Sequence, residues 1–499
     1  MFNGLGLGIH EALTGSNILA ALAGVILGSA VGVFPGIGPL AAISILLPIT
    51  LHFSSLTGLV ILAGVFYGSQ YGDSMAAILV NVPSEAAAIV IAKDGYAMTK
   101  RGRGGAALAV AGVSSFVGAM IGLLGVVLLA IPLAKLAIYF RPSDYVAVAS
   151  LGLILLPLVM REHLWKSIVA IGVGLMLTTI GTNPISGSLR FTFGITQMSQ
   201  GFTIVPIAVG LFGLAELIHL IVDGEHWNVT GKYGFREILP SKAEWLETFP
   251  AAGRGGILGF VLGALPGPSL ILATFTSHGI EDRIRRRRLL RRGFADEEEG
   301  HVSGVAGPKA ADDAAVGGQL VPLLSLGIPF SPVTAVLLAA LTLHGIQPGP
   351  LFISQNPDIF WGLIAAMGIG NIGLLILNFP FAGLWVKLLK VPFSIRAAVL
   401  IPIMIVGTFA VRNSMFDVAT LFVSGILGFI FIRIGVNRGL LILGFVLGDF
   451  LEKAIVRSLL VSRGSFLVFI DRPVSAITLA IIFLVAIAMP GWKAIRARH

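Results

Sequence analysis

The sequence predicts an all-α polytopic membrane protein of about 12 transmembrane helices, in two duplicated halves with broken or re-entrant helices and the second half inverted. Three observations lead there. Of 499 residues, 56% are hydrophobic and only 12% charged, against about 25% charged in an ordinary soluble domain. No Asp, Glu, Lys or Arg occurs from Ala12 to Gly72, Gly104 to Ala134, Gly255 to Ile280 or Ala314 to Pro357, and a helical crossing needs about 20 apolar residues. Finally, one glycine and proline pattern occurs twice in the same order. The apolar runs are continuous, which excludes a transmembrane β-barrel with its period-two alternation.

The elements follow from these runs. The amino terminus, MFNGLGLGIH, lacks the basic stretch of a cleavable signal peptide, so the first apolar segment is expected to remain as a span. Residues 1–222 form the first repeat. In it, Gly24, Gly28, Gly32, Pro35 and Gly36 read G-xxx-G-xxx-G-xx-P-G, followed downstream by Gly72 and Pro83. The polar stretch 223–250 is a linker. Residues 251–499 form the second repeat, where Gly255, Gly259, Gly263, Pro266 and Gly267 carry the same pattern 231 residues later. Gly318 and Pro329 repeat Gly72 and Pro83 at a shift of 246. The difference between the two shifts fits a charged insertion, read as a basic cytoplasmic loop over 281–313.

Glycines four apart share one helix face and let neighbouring backbones approach closely in lipid. Pro-Gly then stops the helix, because proline removes an amide donor and glycine admits turn conformations. A break at membrane depth frees N–H and C=O groups, which persist only where protein or a water-filled cavity surrounds them. Paired breaks in two halves mark the binding site of a secondary transporter. The helix starts after each break offer N–H donors and about half a positive charge to an anion. Candidate substrate and ion residues are therefore Pro35, Gly36, Gly38, Asn81, Pro83, Ser84, Glu85, Pro266, Gly267, Ser269, Thr274, Gly327, Pro329, Ser331 and Thr334. Asp73, Asp312 and Asp313 are candidate coupling carboxylates, since ionisable groups inside apolar segments are costly. Glu85 reads either as a coupling group or as a carboxylate that complements a helix dipole, and Asp312-Asp313 as a solvated pair at the membrane edge.

The charge balance, 34 basic and 25 acidic residues for +9, is read as cytoplasmic loops rather than a nucleic-acid surface. Arg283–Arg292 with its seven arginines, and Lys93, Lys100, Arg101 and Arg103, all point to the cytoplasmic side. If so, residues 73–92 enter and leave by one face, as a re-entrant hairpin. There is no cysteine, which excludes disulfides and thiolate sites. No HExxH, GxSxG or GxxxxGK[ST] occurs, so neither a catalytic site, a metal site nor an ATP-binding loop is expected. A channel, or the membrane subunit of another solute transport system, remains the alternative.

Several stretches carry a family resemblance: Pro-Gly-Ile-Gly-Pro at 35–39, Asn-Val-Pro at 81–83, Asp-Gly-Tyr at 94–96, Leu-Pro-Gly-Pro-Ser at 265–269, Gly-Val-Ala-Gly-Pro at 304–308, Leu-Gly-Ile-Pro at 326–329 and His-Gly-Ile-Gln-Pro-Gly-Pro at 344–350. With Arg-Phe-Thr-Phe-Gly at 190–194 and Ser-Leu-Leu-Val-Ser at 458–462, the chain resembles the large membrane subunit of the tripartite tricarboxylate transporters, the TctA family. The resemblance implies a multi-pass permease of the cytoplasmic membrane, driven by Na⁺ or H⁺, with no tightly bound cofactor. It implies two partners, a small TctB-like membrane subunit and an extracytoplasmic TctC-like solute-binding protein that delivers a carboxylate such as citrate. Three departures sit at the presumed site. Ser84 and Glu85 follow Pro83 where the family has Gly, Phe330 follows Pro329 where it has Gly, and Asp312-Asp313 replace Asn-Asn.

Overall fold

With no water to satisfy the backbone, long apolar runs close their own hydrogen bonds as helices, and the described residues form little else. The computed structural model describes residues 2–34, 37–159, 163–183, 186–224, 239–291, 300–378, 382–389 and 391–496. In the amino-terminal part these are α1 (Phe2–Ala12), α2 (Gly15–Gly32), α3 (Pro39–Thr50), α4 (Ser55–Val80), α5 (Ile89–Lys100), α6 (Gly104–Ala137), α7 (Pro142–Val159) and α8 (Leu164–Thr178). A short hairpin of β1 (Gly181–Thr182) and β2 (Leu189–Arg190) follows, and α9 (Ile204–Ala208) runs through a π-helical turn into α10 (Ala215–Asp223). The carboxy-terminal part holds α11 (Lys242–Gly263), α12 (Ser269–Arg291), α13 (Val302–Leu326), α14 (Pro332–Leu343), α15 (Phe352–Gln355), α16 (Pro357–Asn378), α17 (Ala382–Leu389), α18 (Phe393–Arg412), α19 (Met415–Ile434), α20 (Arg438–Val461) and α21 (Pro473–Arg496). Among the described residues, six helices are long and apolar enough to cross a membrane: 15–32, 104–137, 204–223, 357–377, 393–412 and 415–434.

The glycine stripes act as close-packing faces. Gly24, Gly28 and Gly32 of α2 lie on the backbone of Ile61, Val65 and Ser69 in α4. Gly255, Gly259 and Gly263 of α11 lie in the same way on Gly307, Ala311 and Ala315 in α13. A Cβ at Gly28 would stand 2.7 Å from Val65 Cα, and one at Gly259 2.6 Å from Ala311 Cα, so neither position has room for a side chain. The contacts correspond pair by pair: glycines 231 apart in sequence touch residues 246 apart. In both pairs the contacts advance together along the two chains, so the paired helices run parallel.

Each pair is followed by a reversal. After α4 the chain turns at Asn81, a left-handed C-cap with φ 58°, and after α13 at Gly327, φ 70°. A left-handed residue at this position ends a helix sharply, and Gly and Asn are the residues that tolerate it. Ser84 then returns to the level of Asp73, and α5 sets out again from there alongside the end of α4, with Thr99 at the level of Ile78. Ser331 likewise returns to the level of Gln319.

The outer ends of these units meet crosswise. The end of α14 reaches the start of α4, where Ser55 Oγ donates to His344 O at 3.1 Å. The end of α5 reaches the start of α13, where Asp94 takes hydrogen bonds from Gly300 N at 2.7 Å and His301 N at 3.2 Å and pairs with His278 at 3.0 Å. Arg103 and Glu244 bond at that same end.

Two expected boundaries shift. The stretch 281–313 is not one loop: 281–291 complete α12 and 302–313 open α13, because helix-forming arginines extend one helix and a buried apolar face claims the other. Arg292 and the acidic run 296–299 lie outside the described residues. The linker 223–250 ends early, since Ser241 and Glu244 form a capping box that starts α11. Residues 225–238 lie outside the described residues as well.

Candidate functional site

At the second reversal, α12 starts at Ser269 and α14 at Pro332, and their starts meet on one residue of α13. Gln319 donates through Nε2 to Ser269 Oγ at 2.8 Å and accepts through Oε1 from Ser331 Oγ at 2.9 Å. Ser331 also caps α14: its hydroxyl accepts from Thr334 N at 3.2 Å, and its own N–H donates to Thr334 Oγ1 at 3.0 Å. The capping box holds the start of α14 in one geometry. Ser269, Gln319, Ser331 and Thr334 are all buried and all neutral. Pro266 and Gly267 form the turn into α12, where Gly267 has φ 130°, and Pro329 precedes the cap. Thr274 does not join this cluster, because its hydroxyl bonds Ile271 O within α12 at 3.1 Å.

The first reversal repeats the frame with different chemistry. Gly38 caps α3 as Ser269 opens α12, and it faces the Glu85 side chain. Asp73, at the position corresponding to Gln319, accepts from Ser84 N at 2.5 Å. Pro83 and Ser84 are half-buried here and Asn81 is exposed. Pro35 and Gly36 lie outside the described residues.

Asp312 and Asp313 are not at a solvated edge. They are 4% and 0% exposed, one turn along α13 from Lys309, which is itself 0% exposed. Lys309 Nζ lies 3.4 Å from Asp312 Oδ2 and 2.9 Å from Asp313 Oδ2, and 3.5 Å from the Gln70 carbonyl oxygen of α4. This group and the first reversal interact: Asp73 and Glu85 both lie within electrostatic reach of Asp312 and Lys309. Two carboxylates thus pair with one buried ammonium, and two more that the sequence placed at separate points lie within electrostatic reach of it. Lys309 was missed because it is a single basic residue in the segment read as a charged loop. The available signal was the i, i+3, i+4 spacing of Lys309, Asp312 and Asp313, which puts all three on one helix face.

A cavity of 1240 Å³ opens at the end of the molecule where α14 ends, and runs in to Leu326 and Gly327 at the second reversal. Its wall carries Arg190 of the hairpin and Lys453 and Arg457 of α20. Arg190 pairs with Glu452 at 2.7 Å and Lys453 with Asp449 at 2.7 Å. The opposite end, around Lys93, Asp94, His278 and Arg285, holds a cavity of only 20 Å³ and is tied by the Asp94 bonds and by Arg254–Glu281 at 2.7 Å.

A family model described as the Tripartite tricarboxylate transporter TctA family matches residues 18–443. An uncharacterised 52.8 kDa protein of Agrobacterium vitis, named for the TAR-I ttuC' 3' region, is 41% identical over 483 residues, 96% of this chain and 94% of that one. A second uncharacterised A. vitis protein, named for the TAR-II ttuC' 3' region, is 40% identical over 241 residues, 48% of this chain and 97% of its own length. No solved structure matches.

Proposed function

Since the chain belongs to the tripartite tricarboxylate transporter TctA family, a family of transport proteins rather than enzymes, we propose that it is the large permease subunit of a binding-protein-dependent secondary transporter. It moves tricarboxylates or related carboxylates across the cytoplasmic membrane, driven by a Na⁺ or H⁺ gradient. A TctB-like small subunit and a TctC-like extracytoplasmic binding protein complete the system. The protein crosses the bilayer about 12 times in two duplicated, inverted halves.

The observation that carries this reading is the pair of equivalent reversals. The pairwise match of the two glycine stripes supports duplication. Inversion is supported by the crosswise meeting of α14 with α4 and of α5 with α13. Re-entrant helix starts facing each other near mid-helix are the arrangement transporters use to hold substrate and ion.

The two reversals divide the work by charge. The neutral cluster of Ser269, Gln319, Ser331 and Thr334, with the starts of α12 and α14, receives substrate carboxylates through hydroxyl, amide and backbone donors. The acidic cluster of Asp73, Glu85, Asp312 and Asp313 serves the coupling ion, with Asp73 and Glu85 as its exchanging members. Basic residues gather at the end near α5 and α12, which by the positive-inside rule is cytoplasmic. The 1240 Å³ cavity then faces outward.

Uptake of labelled citrate into proteoliposomes, with an imposed Na⁺ or H⁺ gradient, no ATP, and with or without the binding protein, tests this. Uptake above equilibrium that follows the gradient and needs the binding protein supports it. Gradient-independent equilibration would favour a channel, and a requirement for ATP another transport system.

A further inference from the structure

Lys309 is a fully buried ammonium whose hydrogen-bond partners among the described residues are oxygen atoms. Asp313 Oδ2 lies at 2.9 Å and Oδ1 at 3.1 Å, Asp312 Oδ2 at 3.4 Å and the Gln70 carbonyl at 3.5 Å. Two carboxylates and one ammonium leave this buried group with a net negative charge. It also has oxygen to spare: Asp312 Oδ1 and the Gln70 side-chain Oε1 are buried and have no hydrogen-bond partner. Tyr67 is 2% exposed and lies within reach of the Asp313 charge. An all-oxygen shell around one positive charge is also what a hard metal cation requires.

We propose that the Lys309 ammonium occupies an alkali-cation site formed by Asp312, Asp313 and the Gln70 carbonyl, serving as a tethered substitute for a mobile Na⁺ or K⁺. The inference deepens the reading of this cluster as ion-coupling, but it does not depend on transport. With Lys309 in place, Asp312 and Asp313 are neutralised by a charge that cannot leave, and ion exchange falls to Asp73 and Glu85. The tether also ties α13 to α4, since the same ammonium bonds a carboxylate on one and a carbonyl on the other. Removing one partner of a buried ion pair strands the other charge and is strongly destabilising. A vacated oxygen shell that accepts a free cation recovers that loss, because any ligand that binds only the folded state stabilises it.

The test is thermal unfolding of the purified full chain in detergent, at equal concentrations of choline chloride, NaCl and KCl, for the wild type, Lys309→Met and Lys309→Met/Asp313→Asn. The single variant is expected to melt below the wild type in choline chloride. Na⁺ or K⁺ should then raise it saturably, by at least about 2 °C more than either salt raises the wild type. The double variant has the wild-type net charge without the ammonium and should lose this additional response. A single variant that unfolds on exchange from NaCl into choline chloride supports the proposal equally. The proposal is overturned if Lys309→Met responds to Na⁺ and K⁺ no more than the wild type, if it is unstable in all three salts while the double variant is stable, if the double variant keeps the additional response, or if acid restores the single variant and neither salt does. Failure of citrate uptake would count against the transport reading and leave these outcomes unchanged.

Discussion

The two reversals share a backbone and differ in charge. Both follow a long helix ended by a left-handed residue, and both bring a side chain from one helical position back to the returning stretch of chain. At the first that side chain is Asp73, bonded to a backbone N–H and joined by Glu85; at the second it is Gln319, bonded to two hydroxyls. The first is partly open and the second buried. One frame therefore carries an acidic side chain at one reversal and a neutral hydrogen-bonded cluster at the other. A transporter that carries an anion together with a cation needs one of each.

The most severe way to break this equivalence is at its packing. Gly28→Val and Gly259→Val each push a side chain into a neighbouring backbone and should each cost about 1–3 kcal/mol or more, seen as matched losses of thermal stability in detergent. If only one of the two is destabilised, the halves are not built alike. Next in size, Asp73→Asn removes the charge at the first reversal and should flatten the dependence of uptake on the driving ion. Gln319→Ala should leave that dependence intact and raise KM, on the order of tenfold for hydrogen bonds of this kind. The comparison fails if the two phenotypes are exchanged. Ser331→Ala is expected to act more weakly, by about 0.5–2 kcal/mol through loss of the α14 cap, read as a few-fold rise in KM with a small drop in melting temperature. The smallest effect belongs to Arg190→Gln at the cavity mouth. A partly exposed pair contributes about 0–1 kcal/mol, so apparent substrate affinity should fall by less than about fivefold, with the difference fading at high salt.

The stripes, the breaks and the match between the two glycine patterns were legible because each depends on residues a few positions apart: a glycine every fourth residue and a Pro-Gly soon after. Gly38, Asn81, Ser84, Glu85, Ser269, Gly327 and Ser331 follow from that local grammar and lie at the reversals. Gln319 does not, since a glutamine between Gly318 and Leu320 gives no hint of its two partners, which are 50 and 12 residues away. The nearness of Asp73 and Glu85 to Asp312 depends on α4 and α13 touching at Gln70 and Lys309, which no local pattern reports. Thr274 stands out in the sequence for its hydroxyl, but a threonine inside a helix readily turns that hydroxyl onto its own backbone. Arg190 shows in the sequence only as part of a motif, and its role at the cavity wall rests on Glu452, 262 residues later.

The burial of α13 has a consequence for how the protein is made. Every residue from Val302 to Leu326 is buried within the protein, and the helix carries Lys309, Asp312 and Asp313. A charged residue placed alone in a lipid-facing helix costs about 2.5–3.5 kcal/mol at its centre, so α13 is a poor candidate to leave the translocon as a free segment. The two helices against which it packs most extensively, α6 and α11, both precede it in the chain and are already synthesised when it emerges. In that order of synthesis, α6 and α11 are available as the berth for a charged helix leaving the insertion machinery.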